Sequence, residues 1–232
     1  MDELIVKKNP KSSISEAIRV VRTNIQFSLK LKKNKTILVT SSVQGEGKSF
    51  ISANLAISFA QKDLKVLLVD SDLRLGRLHK IFKVSNTKGF SNLLVDNDSK
   101  NYQDYIKSTK IENLSFISRG TVPPNPSELL DSNNAAEFIK AASKDFDIII
   151  FDGTPINGLT DSLVFTKYVE EVVVVASSNY TKMKFLENTI KSLKALEVNI
   201  AGIILNKVPI KNTSSYYGGY YGGYYGGYYT KD

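Results

Sequence analysis

Short apolar runs alternate with helix-forming stretches along most of the chain. Six runs of four or five residues are almost entirely apolar rather than apolar at every second position, and they span 36–40, 66–69, 114–117, 148–151, 172–176 and 201–205. Continuous apolar runs indicate strands that are buried on both faces. The pattern therefore predicts an α/β fold, with a mostly parallel sheet flanked by helices on both faces.

Helical periodicity is clearest near the start of the chain. The apolar residues of a helix expected over about 14–31 recur at helical spacing, at Ile14, Ile18, Val21, Ile25 and Leu29. Ser13 and Glu16 have the spacing of a capping box, which predicts Ser13 as the N-cap. Further helices are expected over 48–61, 162–168 and 182–196. No composition change marks a boundary before residue 210, so residues 1–210 are expected to form one domain.

The last 22 residues have a different composition. Residues 216–229 read YYGGYYGGYYGGYY, with eight tyrosines, six glycines and no aliphatic residue. Paired glycines every four residues oppose both a helix and a packed core. We therefore expect residues 211–232 to be a flexible, disordered tail, with a stretched reach of at most ~70 Å.

Composition excludes several classes of site. The chain has 232 residues, no cysteine and one histidine, His79, so disulfides, thiolate metal sites and a zinc site built on histidines are excluded. No apolar run approaches the ~20 residues of a membrane-spanning helix, and the N-terminus does not resemble a signal peptide. A soluble intracellular protein is expected.

Positive charge is concentrated at the N-terminal end. The formal net charge is +8, and residues 1–35 hold nine Lys or Arg against three Asp or Glu. The basic run 30–35 fits a solvated helix end, an anionic membrane surface at ~1 kcal/mol per basic residue, or acidic groups of a partner. Nucleic acid is not expected, because aromatic residues are not interleaved with the basic ones.

The segment 42–49, SVQGEGKS, follows a predicted strand and opens a predicted helix. It matches a phosphate-binding P-loop in which the first glycine is replaced by serine. Backbone N–H groups and the positive end of the helix dipole would surround phosphate oxygens. The residues expected at a nucleotide are Gly45, Glu46, Gly47, Lys48, Ser49 and Phe50. Lys48 would reach the β- and γ-phosphates, and Ser49 would ligate Mg²⁺.

Carboxylates follow two other predicted strands. Asp70 and Asp72 end the run 66–69, and Asp152 ends the run 148–151. Ligands of open parallel sheets bind at the carboxyl ends of the strands, so all three carboxylates are expected near the γ-phosphate. Asp70 and Asp152 are candidate Mg²⁺ ligands together with Ser49, because Mg²⁺ prefers oxygen ligands. Asp72 is the candidate acceptor of a hydroxyl proton; a helix cap or a loop salt bridge is its structural alternative.

Together these motifs resemble the bacterial tyrosine kinases of capsular and extracellular polysaccharide synthesis, in the separate cytoplasmic form of low-GC Gram-positive bacteria. The resemblance rests on segments in a fixed order: an ExxRxxR motif at 16–22, Walker A at 42–49, Walker A′ at 66–74, a loop and helix at 120–130, Walker B at 148–152 and the tyrosine cluster. The sequence departs from the family in the residues that follow Walker A′ and Walker B. These departures bear on loop geometry rather than on the reaction.

The resemblance implies a P-loop NTPase fold and a kinase that uses ATP and Mg²⁺. It implies that Lys48, Asp70, Asp72, Arg74 and Asp152 are catalytic. The phosphate would be transferred to the tail of a neighbouring subunit, at Tyr216, Tyr217, Tyr220, Tyr221, Tyr224, Tyr225, Tyr228 and Tyr229. By analogy with related ATPases, Asn206 would contact adenine.

The resemblance also implies partners. Subunits would assemble as a homo-oligomeric ring through Glu16, Arg19 and Arg22, although ion pairs within the helix are an equally simple interpretation of that spacing. A transmembrane adaptor of the polysaccharide co-polymerase type would activate the kinase and hold it at the inner face of the cell membrane. A phosphotyrosine phosphatase would reverse the reaction.

Two other functions use the same fold. A partition or septum-placement ATPase (ParA- or MinD-like) carries an additional lysine early in the P-loop, where this chain has Val43, and it has no use for a tyrosine tail. A nucleotide-gated scaffold without kinase activity would not need the complete set of Lys48, Ser49 and three aspartates.

Overall fold

The computed structural model describes residues 3–29 and 35–209. Seven strands form one sheet in the order β3-β4-β2-β5-β1-β6-β7. Every pair is parallel except β3 with β4. The strands are β1 (Thr36–Ser41), β2 (Val66–Asp70), β3 (Lys107–Ser108), β4 (Leu114–Ile117), β5 (Ile148–Pro155), β6 (Glu171–Ser177) and β7 (Ile200–Asn206). The predicted mostly parallel sheet is confirmed.

Helices cover both faces of the sheet. They are α1 (Ile5–Lys8), α2 (Ser13–Leu29), α3 (Lys48–Ala60), α4 (Leu78–Phe82), α5 (Phe90–Val95), α6 (Pro126–Leu130), α7 (Asn133–Ala142), α8 (Asp161–Phe165) and α9 (Met183–Ala195), with 3-10 turns at Ser99–Tyr105 and Thr166–Tyr168. α1 to α4 contribute to the core on one face, and α5 to α9 to the core on the other.

Alternate residues of the central strands enter the two cores. Ile37 and Val39 of β1 pack on the α3 side, whereas Leu38 between them packs on the opposite side, and all three are fully buried. This double burial explains why the central strands carry continuous apolar runs instead of apolar residues at every second position.

The start of α2 corrects one expectation. The N-cap is Ser12 rather than Ser13, because the Ser15 backbone N–H donates to Ser12 Oγ at 3.2 Å. The Glu16 backbone N–H donates to the Ser12 carbonyl at 3.0 Å. Two adjacent serines offer the same cap chemistry, and sequence alone does not separate them.

Within 3–29 and 35–209, no helix is long and apolar enough to cross a membrane. Most of the basic run 30–35 and the entire tyrosine tail lie outside the described residues.

Candidate active site

The segment between β1 and α3 has the backbone of a phosphate cradle. Gly45 and Gly47 have φ angles of +85° and +99°, and α3 begins at Lys48. In the described part of the chain, the backbone N–H groups of residues 44–49 donate to no protein acceptor. A run of unpaired N–H groups at the N-terminus of a 13-residue helix is an anion-binding arrangement. The loop can therefore accept an anion such as a phosphate group, as the sequence predicts.

The carbonyl oxygens of the same loop are bound from outside. The Tyr180 hydroxyl donates to Gln44 O at 3.2 Å, Lys207 Nζ donates to Gly45 O at 2.7 Å, and Asn206 Nδ2 donates to Glu46 O at 2.9 Å. The three donors come from the end of β7 and the loop after β6. Three successive carbonyls are therefore fixed by side chains.

Glu46 holds the loop from within. Its buried carboxylate accepts the Val43 N–H at 2.9 Å and the hydroxyl of Thr181. The side chain is thus fully used inside the protein, and the group that Glu46 would offer to a nucleotide is its backbone N–H. The side chain of Phe50 is also used inside the protein, because its ring packs against the apolar core on the α3 side.

Asp70 and Asp152 lie side by side at the carboxyl ends of neighbouring strands. They are register partners in the β2–β5 pair, and both are buried. Ser52 Oγ donates to Asp152 Oδ1 at 2.9 Å. Burial raises the pKa of Asp152 to about 6, although Lys48 and the hydroxyls of Ser49 and Ser52 act in the opposite direction.

The carboxylate of Asp70 is only partly hydrogen-bonded by the described residues. Its Oδ2 accepts the Leu78 N–H at 3.0 Å, while its Oδ1 is buried without a hydrogen-bond partner in the described residues. Burial, followed by the charges of Asp152 and Asp72, raises the pKa of Asp70 well above its usual value. An unpaired buried oxygen beside a second carboxylate is a place where a cation would lower the free energy.

This donor set fits Mg²⁺ bound together with a nucleotide. Among the residues that the structure describes, no three His, Cys, Asp or Glu side chains form a metal-binding cluster. Mg²⁺ commonly uses one or two carboxylates and takes its other ligands from phosphate and water. Asp70, Asp152 and the Ser49 hydroxyl, the ligands expected from the sequence, would hold it, and this ligand set stays a prediction.

Asp72 shapes the turn that follows β2. Its Oδ1 accepts the backbone N–H groups of Arg74 at 3.2 Å and Leu75 at 2.9 Å. Its Oδ2 has no hydrogen-bond donor within the described ranges. One oxygen therefore holds the turn through backbone N–H groups, rather than through a helix cap or a salt bridge, and the other oxygen is left for the expected role as proton acceptor.

Arg74 is held by a residue that the sequence analysis did not single out. Its Nε donates to Asp161 Oδ2 at 2.7 Å, and its Nη2 donates to Asp161 Oδ1 at 3.0 Å. The Arg74 side chain is 38% exposed, whereas Asp161 is fully buried. No motif identifies Asp161, because its role depends on a contact across 87 residues.

The sequence did not identify Tyr180, Thr181 or Lys207 as site residues. Each donates one hydrogen bond to the P-loop from a distant part of the chain. Asn206, which the analogy placed at adenine, has its Nδ2 on the P-loop. Its Oδ1 carries no protein hydrogen bond in the described part of the chain, which leaves an acceptor for an amino group.

The three residues of the ExxRxxR motif all make contacts inside the subunit. Glu16 pairs with Arg19, and Arg19 also donates to Pro10 O at 2.6 Å. Arg22 is buried, and its Nη1 donates to Ser58 O at 2.8 Å in α3. Arg22 thus ties α2 to α3, while Glu16 and Arg19 remain at the surface.

The site can be compared with known proteins. A protein-family profile described as an AAA domain (AAA_31) matches residues 34–204. CapB of Staphylococcus aureus is 38% identical over 214 residues, which cover 92% of this chain and 93% of that protein. The tyrosine-protein kinase YwqD of Bacillus subtilis is 35% identical, with 92% and 89% covered. The chain belongs to the bacterial tyrosine-protein kinases. The kinase activity and the Gram-positive type expected from the motifs are confirmed.

Solved structures agree with this family. The crystal structure of the chimeric protein CapA2B2 superposes with a TM-score of 0.85 at 37% identity, covering 90% of the kinase and 91% of that chain. The kinase domain of Escherichia coli Etk gives 0.84 at 35% identity, covering 88% and 80%. Full-length Etk is longer, and the chain spans 28% of it.

Partition and septum-site ATPases share only the fold. A ParA-family ATPase of Chlorobium tepidum has a TM-score of 0.65 at 21% identity, and MinD of Pyrococcus horikoshii, solved with Mg-ADP, has 0.63 at 23%. These likenesses show the shared fold alone, whereas the match to the AAA-domain profile over residues 34–204 implies nucleotide binding. They do not favour the partition-ATPase alternative.

Proposed function

We propose that this kinase transfers the γ-phosphoryl group of Mg²⁺-bound ATP to tyrosines of the segment 216–229 in a neighbouring copy, and thereby regulates capsular or extracellular polysaccharide synthesis. The observation that carries the proposal is the convergence of the unpaired P-loop N–H groups with the buried pair Asp70 and Asp152. Residues 1–210 would be the kinase domain, and 211–232 the acceptor tail.

The transfer needs few groups from the protein. The phenol oxygen of the acceptor forms a bond to the γ-phosphorus, the bond from that phosphorus to the bridging oxygen breaks, and ADP leaves. The phenol proton passes to Asp72, whose Oδ2 is free of donors in the described residues. Lys48 balances charge on the transferring group, and the cation at Asp70 and Asp152 would add electrostatic stabilisation.

The tyrosines proposed to accept phosphate are identified from the composition of the tail and from the family resemblance. Eight of the twelve tyrosines lie in 216–229. Of the other four, Tyr102 and Tyr105 are nearly fully buried. The tail follows Lys207, which touches the P-loop, so chain length alone permits reaction within one subunit as well as between subunits. Transfer between subunits is therefore a separate claim that needs its own test.

The proposed assembly and the proposed partners rest on the family resemblance. A ring of subunits that contact one another through Glu16, Arg19 and Arg22 would place each tail near a neighbouring site. A transmembrane adaptor of the co-polymerase type would activate the kinase at the inner face of the membrane, and a phosphotyrosine phosphatase would reset it. A relative from Klebsiella pneumoniae, 36% identical, is named for its place in the cps region, which supports the link to capsule synthesis.

The test uses one variant as the enzyme and a different variant as the phosphate acceptor. The enzyme is a variant with all eight tail tyrosines changed to Phe, and the acceptor is a size-tagged Lys48→Met chain that keeps its tyrosines. Both are incubated with MgATP, with and without the cytoplasmic end of the adaptor, and phosphotyrosine is mapped by mass spectrometry.

Phosphate on 216–229 of the Lys48→Met chain supports transfer between subunits. Labelling of the wild-type chain alone, with none on the Lys48→Met acceptor, would show that transfer stays within one subunit. No tail phosphate on the wild-type chain in either condition would refute the proposed acceptor.

A further inference from the structure

Asp161 is a fully buried carboxylate that the proposed chemistry does not use. It is the first residue of α8 and accepts two hydrogen bonds from Arg74, from Nε at 2.7 Å and from Nη2 at 3.0 Å. Ser127 Oγ of α6 donates to its Oδ1 at 2.6 Å. One carboxylate therefore joins the turn after β2 to both α6 and α8.

The Asp161 carboxylate contacts one edge of the Arg74 guanidinium, the edge formed by Nε and Nη2. A two-bond fork between arginine and carboxylate fixes the plane of the guanidinium group as well as its position. The remaining nitrogen, Nη1, has no hydrogen-bond acceptor in the described residues, and the side chain is 38% exposed. The arginine is therefore anchored and still has donors to offer to a ligand.

The backbone beside this arginine is anchored as well. The Arg74 N–H donates to Asp72 Oδ1 at 3.2 Å, and Arg119 Nη1 donates to Arg74 O at 3.0 Å. The segment that carries the proposed proton acceptor is thus held by Arg119 and, through the Arg74 side chain, by Asp161. A movement of Arg74 would therefore reach Asp72 directly, through the hydrogen bond from the Arg74 N–H to Asp72 Oδ1.

We propose that Asp161 is a positioning residue of the kinase reaction. It orients the Arg74 guanidinium so that Nη1 meets a charged oxygen of the transferring phosphoryl group, and it steadies the turn that contains Asp72. The inference rests on the proposed function, because it takes Asp72 and Arg74 as groups at the reacting atoms. A residue that only stabilised the fold would not act through Arg74.

The test is a double-mutant cycle on kcat. Asp161→Asn, Arg74→Ala and the double variant are assayed on the Lys48→Met acceptor, under the condition in which the wild-type chain labels it. We expect Asp161→Asn to lower kcat about 10- to 100-fold, with the Kd for ATP changed less than threefold. In the Arg74→Ala background, the same change should lower kcat less than about twofold, because the two residues act as a unit.

Two variants serve as controls. Asp131→Asn makes the same chemical change in an exposed ion pair with Lys167, and it should leave kcat unchanged. Arg74→Lys keeps the charge but cannot form the fork, so it should lose most of the kcat that Asp161→Asn loses. If Asp161→Asn does not fold, the kcat of Arg74→Lys still tests whether the fork with Asp161 positions Arg74.

Additive losses in kcat, an equal loss in ATP affinity, or a wild-type rate for Arg74→Lys would overturn the inference. Absence of labelling by the wild-type chain would instead contradict the proposed function. The two failures are therefore distinguishable in one set of assays.

Discussion

Gly47 occupies a position at which the backbone and a neighbouring side chain both exclude a larger residue. Its φ angle is +99°, and a Cβ atom there would lie 2.1 Å from Asn206 Nδ2. Asn206 in turn binds the carbonyl of Glu46. A side chain at 47 would therefore displace the group that fixes the P-loop.

We predict that Gly47→Ala weakens ATP binding at least tenfold, measured by titration calorimetry. Gly158→Ala is the matched control, because Gly158 has a similar φ of +91° but nothing within 4 Å of a Cβ. The control should lose about 1 kcal/mol of stability from backbone strain and keep its affinity. Equal affinities for the two variants would contradict the clash.

Asp72 has separable structural and chemical roles. Asp72→Asn keeps an oxygen for the N–H groups of Arg74 and Leu75 but cannot take up a phenol proton. We predict a loss of about 100-fold in kcat with ATP affinity within threefold of wild type. Asp72→Ala, which also removes the turn bonds, should in addition be less stable to heat. A native tail-labelling rate for Asp72→Asn would rule out its assignment as the base.

Asp161 also gives a pH dependence of stability. Burial alone would raise its pKa, but hydrogen bonds from Arg74 and Ser127 outweigh burial and hold the pKa below its usual value. A carboxyl group with a lowered pKa stabilises the fold above its unfolded pKa, and that contribution is lost as the pH falls through the folded one. We predict that wild type exceeds Asp161→Asn by about 2 kcal/mol in urea unfolding at pH 5 to 7. The difference should shrink below about pH 4; a constant difference down to pH 3 would be inconsistent with this.

At the scale of elements, α2 is held to the domain by more than apolar contacts. Arg22 is 6% exposed, and Nη1 bonds both the carbonyl and the hydroxyl of Ser58 in α3. Burial lowers the pKa of Arg22, followed by the charge of Arg19. Its contact with α3 is therefore part of the subunit fold, whatever it does between subunits.

We predict that Arg22→Ala lowers the free energy of unfolding of the dilute subunit by about 1–3 kcal/mol. Arg19→Ala should change it by less than about 1 kcal/mol, because its pair with Glu16 is exposed, and should mainly reduce oligomer size. Chemical unfolding and light scattering on both variants check this. A stable Arg22→Ala subunit that no longer assembles would instead assign Arg22 to the interface.

Elements were predictable where many residues repeat one signal. The six predicted strands all occur. The central strands β1, β2, β5 and β6 are buried on both faces, which explains their continuous apolar runs. The edge strand β7 has the same apolar pattern although Ile203 and Leu205 are about half exposed. β3 was missed because two residues, Lys107 and Ser108, carry no pattern. The Ser12 cap and the Asp161 fork were missed for a different reason: each depends on which of several equivalent polar groups the chain brings close, and that choice is made by distant contacts.

The Walker motifs were predictable because each places its chemistry at a strand end. β2, β5 and β1 are neighbours, and this order brings Asp70, Asp152 and the P-loop together. The supporting contacts from Tyr180, Thr181 and Lys207 depend on where β6 and β7 lie in the sheet, which sequence spacing does not give.

At the scale of the whole molecule, phosphorylation would reverse the charge. The chain carries a formal +8, and eight phosphotyrosines would add roughly −12 to −16. We predict that full phosphorylation loosens a ring of subunits through repulsion between tails, with a larger effect at low salt. Oligomer mass by light scattering, compared with the eight-Phe variant treated in the same way, tests this. An unchanged mass at low ionic strength would exclude the mechanism.

The bonds that fix the carbonyls of Gln44, Gly45 and Glu46 are made entirely by the protein. Ordering this loop is therefore part of folding and adds little entropy cost when a ligand arrives. ATP should associate in a single fast phase without a slow rearrangement, and the heat-capacity change should match the apolar area that the purine itself buries.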